Sequence, residues 1–304
     1  MRIVVALGGN ALLKRGEPLT AQAQATALAE VAGLLAAVIA SGHQLVVTHG
    51  NGPQVGLLAL QSAAGPAISA LPLDVLGAES EGWIGYAVEL ALRNALPEGS
   101  NVVTLLAQTL VDPQDKAFDH PTKPIGPVYE EAVAKRLAET NNWSVAADGE
   151  FWRRIVASPK PIAILELASI RLLAAAGALV ICTGGGGIPV CKGADEKLMG
   201  VEAVIDKDAT SGLLAEQINA DMFVMLTDVA GVYTDYGSTA ARVITRIDPK
   251  TLTEMSASFG TGSMRPKVAA ACHFASITGR VAAIGALGDL DGIVAGTHGT
   301  IICG

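Results

Sequence analysis

Three lysines of this chain stand in settings suited to work on phosphate. Lys207 lies in Val204-Ile205-Asp206-Lys207-Asp208, between two carboxylates at the start of a predicted helix. Lys267 follows the glycine-containing lead Gly262-Ser263-Met264-Arg265-Pro266, and Pro266 suits a first helical turn. Lys123 sits in the proline-bracketed loop Pro121-Thr122-Lys123-Pro124-Ile125-Gly126-Pro127. Phosphoryl transfer is mainly positioning and charge neutralisation, which fixed ammonium groups supply. Taken singly, each lysine reads equally well as a solvated surface charge. Asp206 and Asp208 read equally well as helix caps.

Three glycine clusters strengthen the anion reading. They are Gly8-Gly9-Asn10, Gly50-Asn51-Gly52 and the run Gly184 to Gly187. Each follows a short apolar run, as expected at the carboxyl end of a parallel strand, where such sheets bind ligands. Glycine lets backbone approach a phosphate, and a following helix offers free N–H groups and a positive dipole end. One such cluster is an ordinary tight turn; three on successive strand-to-helix junctions argue for an anion cradle.

The familiar alternatives are missing. No G-x-x-x-x-G-K-[ST] occurs, and Cys191 stands before Lys192 where a glycine is needed. Gly50-Asn51-Gly52 continues to Val55 where a dinucleotide fingerprint needs its third glycine. The protein-kinase signatures and the G-x-S-x-G elbow are also absent. His43, His49, His120, His273 and His298 are scattered without metal spacing, and His49 beside Gly50 reads as structural packing. Cys182, Cys191, Cys272 and Cys303 have no C-x-x-C spacing and read as small buried hydrophobes of a reducing cytoplasm.

The elements that must position these groups alternate between strand and helix. Predicted strands are Arg2–Leu7, Gln44–Thr48, Val102–Leu106, Ala178–Cys182, Met222–Leu226 and Arg280–Ile284; predicted helices include Thr20–Ser41 and Pro266–Thr278. That rhythm predicts βαβ units and a parallel sheet covered on both faces. Asp112–Pro161 interrupts it with six prolines and five aromatic residues, so it reads as an inserted subdomain rather than as sheet.

With 304 residues, half of them apolar and 16% charged, the chain can bury a large core. The net charge of −8 argues against a general nucleic-acid footprint. No run reaches the ~18 consecutive apolar residues of a spanning helix, and Met1–Leu7 lacks the features of a signal peptide. The expected setting is therefore cytoplasmic, without membrane or nucleic acid as partner.

These motifs together resemble the carbamate kinases of the amino acid kinase superfamily. The resemblance runs through Val5-Ala6-Leu7-Gly8-Gly9-Asn10-Ala11, His49-Gly50-Asn51-Gly52-Pro53-Gln54-Val55-Gly56 and Pro121–Pro127. It continues through Ser158–Pro161, Gly184–Val190, Gly200–Asp208, Gly262-Ser263-Met264 and Pro266-Lys267. It implies an α/β fold, a three-layer αβα sandwich with a mainly parallel central sheet and a small protruding subdomain at about 112–161. It also implies a carbamate lobe over residues 1–215, a nucleotide lobe over 216–304, and a homodimer.

The implied reaction is direct, reversible phosphoryl transfer between ATP and carbamate, giving ADP and carbamoyl phosphate with Mg²⁺. Arginine catabolism is one of several pathways using that chemistry. Under the resemblance, Lys207 and Lys267 embrace the transferring group, Asp208 organises them, and Lys123 closes over carbamoyl phosphate. Gly8, Gly9, Asn10, Gly50, Asn51 and Gly52 form the cradle, which Gly184 and Gly185 extend. Asp206, Thr227, Asp228, Tyr233 and Met264 fall on the nucleotide side, and no protein metal-ligand set is implied. Ala6 stands where many family members place a lysine, consistent with Lys207 taking that role.

Three departures stand out. Glu81-Gly82-Trp83 replaces the Gln-Gly-Ser common before Ile-Gly-Tyr; Arg265 replaces a small or apolar residue; and Thr227–Tyr233 looks more like other superfamily members. A kinase of another small carboxylate and a nucleotide-sensing relative without turnover are the alternative readings.

Overall fold

The structure is a computed structural model; it describes residues 1–13, 17–64, 71–256, 259 and 263–304, with only the backbone of Asn10. The chain opens with β1 (Arg2–Leu7), the short α1 (Gly9–Leu12) and α2 (Ala21–Ala40). Next come β2 (Gln44–His49), α3 (Gly52–Ala64), α4 (Leu73–Ala95), β3 (Val102–Thr104) and β4 (Gln108–Val111). A small unit follows: β5 (Lys123–Tyr129), α5 (Glu131–Asn141), β6 (Ser144–Asp148) and β7 (Phe151–Val156). The chain returns through β8 (Pro161–Ile164), α6 (Leu167–Ala175), β9 (Leu179–Ile181), β10 (Ile188–Lys192) and β11 (Leu198–Gly200). The remainder holds α7 (Lys207–Gln217), β12 (Met222–Thr227), β13 (Tyr233–Thr234), β14 (Arg242–Val243) and β15 (Arg246–Ile247). It ends with α8 (Pro249–Met255), α9 (Met264–Thr278), β16 (Val281–Ala286), α10 (Leu290–Val294) and β17 (Thr300–Ile302).

Eight strands form the central sheet in the order β15-β17-β16-β12-β1-β2-β9-β3. Every neighbouring pair is parallel except β16 with β17. Strands buried on both faces read as continuous apolar runs, as Ile3-Val4-Val5-Ala6-Leu7 does. Their side chains divide between two cores. Ile3, Val5 and Leu7 pack with Leu28, Val31, Leu35, Ile84, Val88 and Leu290 from α2, α4 and α10. Val4 and Ala6 face Leu214, Val268, Ala271 and Phe274 from α7 and α9. Helices on both faces of a mostly parallel sheet make the three-layer sandwich. The predicted lobe boundary at 215/216 falls inside α7, and the sheet runs unbroken across it.

The strand predictions shift only at their ends. The fourth predicted strand contracts to Leu179–Ile181, and the last moves to Val281–Ala286. Thr20 and Ser41 are the caps of α2, and the Thr20 side chain accepts from the Ala23 N–H. By length and a hydropathy of 1.7, α2 could cross a membrane, yet its Leu28, Val31, Leu35 and Val38 lie buried. The expectation that the Asp112–Pro161 insertion is not sheet needs correction: its prolines fall mostly in turns and at strand ends, and it carries the antiparallel sheet β5-β7-β6 together with α5. A second expectation needs correction: the Gly184 run leads into strand β10, not a helix. Gly185, Gly186 and Gly187 have φ of 66°, 95° and 82°, a left-handed stretch that turns the chain without starting an α-helix.

The small unit docks where two backbones nearly touch. A Cβ on Gly56 of α3 would stand 1.9 Å from the Gly126 Cα of β5. Gly126 itself has φ 72°, so glycine serves on both sides. Val55, Leu73, Ile125 and Val156 form the apolar cluster beside this crossing. Gly56→Ala should force β5 away, an overpacking cost of about 1–3 kcal/mol. Thermal unfolding should register it as a drop in midpoint, and an unchanged midpoint would mean the two backbones are not in contact in solution.

Candidate active site

Side chains from all parts of the chain meet around one cavity of about 590 Å³. It is lined by Gly8, Gly9, Gly50, Asn51, Gly52 and Gly185 from the loops after β1, β2 and β9. Lys123, Asp206, Lys207, Asp208 and Lys267 line it as well, with Thr227 and Asp228 from the end of β12. Strand carboxyl ends thus converge on the cavity, as the parallel order requires.

The lysines are organised by helix starts. Asp206 caps α7: its Oδ1 accepts from the Asp208 N–H at 3.0 Å and the Ala209 N–H at 3.1 Å. This places Lys207 and Asp208 in the first turn. Lys267 stands in the first turns of α9, which packs on α7 where Gly212 meets Ala270. Lys207 Nζ donates to Asp208 Oδ1 at 2.7 Å, and Lys267 Nζ donates to Oδ2 at 3.0 Å. One carboxylate therefore bridges two ammonium groups. The three side chains are only 14%, 6% and 5% exposed for Lys207, Lys267 and Asp208.

Burial works against charge on all three, and the outcomes differ. For Asp208 the two lysines outweigh burial and hold its pKa below the usual carboxylate value. For Lys207, Asp208 and Asp206 outweigh burial and raise its pKa. For Lys267, burial and the nearby Lys207 charge prevail over Asp208, so its pKa is lowered. A carboxylate shared by two ammonium groups leaves net positive charge facing the cavity.

Lys123 reaches over from β5 and donates to Asp206 Oδ2 at 2.9 Å. Asp206 thus caps α7 with one oxygen and holds the subdomain lysine with the other.

The structure brings most predicted residues together. Tyr233 is set apart: it lies in the small β13–β14 ribbon, stacked edge-on with Tyr236 at 5.6 Å. Met264 packs against the core beneath α9, and neither lines the cavity. Gly184 also stands behind the lining and Gly185 in front. The side chain of Asn10 and residue Gly262 lie outside the described residues. Of the cysteines, Cys182, Cys191 and Cys272 are buried as expected, while Cys303 is partly exposed and accepts from Arg246 Nη1. His49 is packed as expected, bonding the Gly50 carbonyl through Nδ1 at 3.0 Å.

Sequence reasoning missed Arg153, which lines the cavity from β7 and donates through Nη2 to the Gly126 carbonyl at 2.6 Å. Its signal was the Trp152-Arg153-Arg154 triplet inside the aromatic insertion. Among the described residues, four cations and three carboxylates (Asp206, Asp208, Asp228) therefore face the cavity, a surplus suited to anions.

The fold and this site define a class. The chain belongs to the amino acid kinase family, whose model matches residues 1–284. Proteins similar to it over nearly its whole length include several carbamate kinases. The carbamate kinase of Rhizobium meliloti is 52% identical over 304 residues, covering 99% of this chain and 93% of that one. The Haemophilus influenzae carbamate kinase is 50% identical, covering 99% and 96%. A solved carbamate kinase from Giardia lamblia, bound to citric acid, superposes with a TM-score of 0.93 at 38% identity, covering 99% and 98%.

Asp206 yields an acid-stability test. Burial opposes its charge, but Lys123 dominates and depresses its pKa from 3.8 to about 2. A depressed carboxyl stabilises the fold above its unfolded pKa and loses that contribution as pH falls through the folded value. The span is worth about 2 kcal/mol at most, given partial exposure. Asp206→Asn keeps a capping side chain but should lower the urea midpoint at pH 6. The gap from wild type should close between pH 4 and pH 2; a pH-independent gap would refute the pairing.

Proposed function

We propose that the chain catalyses reversible phosphoryl transfer between ATP and carbamate, yielding ADP and carbamoyl phosphate. The single observation that carries the site assignment is the buried Lys207–Asp208–Lys267 bridge opening on a glycine-lined cavity. Identity near 50% along the whole chain to carbamate kinases supports carbamate as acceptor over another small carboxylate.

Both substrates are anions, so their approach is opposed by mutual repulsion. Lys207 and Lys267 offset it, and their burial strengthens each charge interaction relative to water. A carboxylate oxygen of carbamate attacks the γ-phosphorus in line while the bond to the β-phosphate oxygen breaks, and no covalent enzyme intermediate forms. The bare amides of Gly8, Gly9, Gly50, Gly52 and Gly185, with Asn51, hold the oxygens of the group in transit. Lys123 moves from Asp206 to the incoming phosphate, so substrate competes with a pair already formed. Thr227 and Asp228 meet the nucleotide from the end of β12.

Among the described residues no group of three or more His, Cys, Asp or Glu side chains could hold a metal on its own. Mg²⁺ keeps its waters and takes only one or two protein carboxylates, so it can be carried in by nucleotide phosphates. Asp228 and Asp206 are the oxygen donors on hand. When bound, the ion neutralises charge on the nucleotide phosphates.

The decisive assay is ATP formation from ADP and carbamoyl phosphate, with Mg²⁺ present or withheld. Turnover should require Mg²⁺, and acetyl phosphate should serve poorly in place of carbamoyl phosphate. Lys207→Ala and Lys267→Ala should each lose ~10²–10³ in kcat while remaining folded. Near-normal turnover in either variant would remove that lysine from the mechanism.

The reading extends to a cytoplasmic homodimer. An apolar groove of about 430 Å³ runs between α2 and α4, lined by Ala25, Ala29, Trp83, Tyr86 and Leu90. Tyr86 and Leu90 are 66% and 47% exposed beside the edge strand β3, and a second copy would cover them. Leu90→Glu should shift the sedimenting mass from dimer to monomer. A wild-type chain sedimenting at 31 kDa would refute the dimer.

A further inference from the structure

Glu81 is a carboxyl with no role in the chemistry described so far, yet it is buried to 1% exposure beside the site. Its two oxygens accept from two different segments. Oε1 takes the Gly184 N–H at 2.7 Å, and Oε2 takes the Ala107 N–H at 3.2 Å. The preceding residue, Ser80, accepts from Asn51 Nδ2 at 2.8 Å. Adjacent side chains of α4 therefore hold two of the three site loops.

The space around Gly184 is closed from both sides. A Cβ there would stand 2.5 Å from His49 Nε2 and 3.0 Å from Glu81 Cγ. Only a bare Cα fits between them. The rest of the run is pinned as firmly: a Cβ on Gly185 would strike the Asn51 amide at 2.1 Å, and the Gly186 carbonyl accepts from both Thr109 and Thr210. Gly185 is the member that faces the cavity.

We propose that Glu81 is a positioning residue for phosphoryl transfer: its carboxyl ties the Gly184–Gly187 turn to the β3–β4 connection and so fixes the Gly185 amide that meets the moving group. This rests on the functional reading above.

The surroundings set its protonation. Burial pushes the Glu81 carboxyl up to about 8, against the pull of the Ala107 and Gly184 N–H groups, and Glu166 adds to the rise. The other titratable groups facing it are His49 from β2 and Cys182 after β9. Burial lowers His49 to about 4 and raises the Cys182 thiol, so both are neutral near pH 7. His49 Nδ1 then carries the proton it donates to the Gly50 carbonyl. Glu81 is thus mostly uncharged at neutral pH. Its ionisation places a negative charge directly behind the amides that receive an anionic group, which opposes transfer.

The experiment compares wild type with Glu81→Gln and Glu81→Ala in ATP formation from ADP and carbamoyl phosphate, over pH 6 to 9.5. Alongside it, the Gly184 amide shift is followed by NMR on glycine-labelled protein. In wild type kcat should fall roughly tenfold from pH 7 to pH 9, as one ionisation near 8 requires. The Gly184 amide should titrate with the same midpoint. Glu81→Gln, neutral throughout and able to accept from only one of the two N–H groups, should lose less kcat at pH 7 than Glu81→Ala and should lose both the alkaline limb and the amide titration. Glu81→Ala should lose more than tenfold in kcat with KM for ADP little changed.

An alkaline limb that persists in Glu81→Gln, a Gly184 amide that does not titrate between pH 7 and 9.5, or a fully active alanine variant would overturn the proposal. If wild type makes no ATP, the functional reading fails, and the amide titration still decides whether Glu81 governs the turn.

Discussion

Two ammonium groups held against one buried carboxylate are the constraint on which the rest of the structure depends. Lys207 and Lys267 repel each other, and burial disfavours each charge. Asp208 makes their approach tolerable by giving one oxygen to each. Because one negative charge serves two positive ones, a positive remainder is left for an anion. The arrangement stands only if the starts of α7 and α9 are brought side by side. The large core under both helices, with Leu214, Val268, Ala271 and Phe274, holds them there.

Asp206 adds a second layer to the same design. Its carboxylate ends the α7 backbone ladder and also holds Lys123 of the subdomain. The fixed cations and the one on the small unit are therefore linked through a single helix cap. The close crossing of Gly56 and Gly126 sets how near that unit can come, and Arg153 anchors to the Gly126 carbonyl at the same place.

Helix α4 joins features that are remote in sequence. Its inner face supplies Ser80 and Glu81 to the loops bearing Asn51 and Gly184. Its outer face bears Trp83, Tyr86 and Leu90 along an apolar groove. Two of the chain's departures from the common family pattern, Glu81 and Trp83, thus fall on opposite sides of one helix. Another, Arg265, is exposed in the first turn of α9 beside the buried Lys267.

Much of the molecule was readable from residue order alone. Doubly buried strands such as Ile3–Leu7 must be continuous apolar runs, and glycine runs mark their ends, so the parallel sheet and its loops followed directly. The motif lysines were legible because each sits in a setting unusual for a solvated charge. Other features were not legible. A glycine run does not say whether a helix or a strand comes next; left-handed dihedrals at Gly185–Gly187 turned the third junction into strand β10. Arg153 was one basic residue among several in the inserted segment, and Glu81 showed only as a departure from a common motif. Local sequence thus determined the elements, their caps and the types of group available. Tertiary structure decided which groups share a site, because charge pairing acts over a few ångströms between residues far apart in the chain: Lys267 lies 59 positions from Asp208, and Gly184 lies 103 from Glu81.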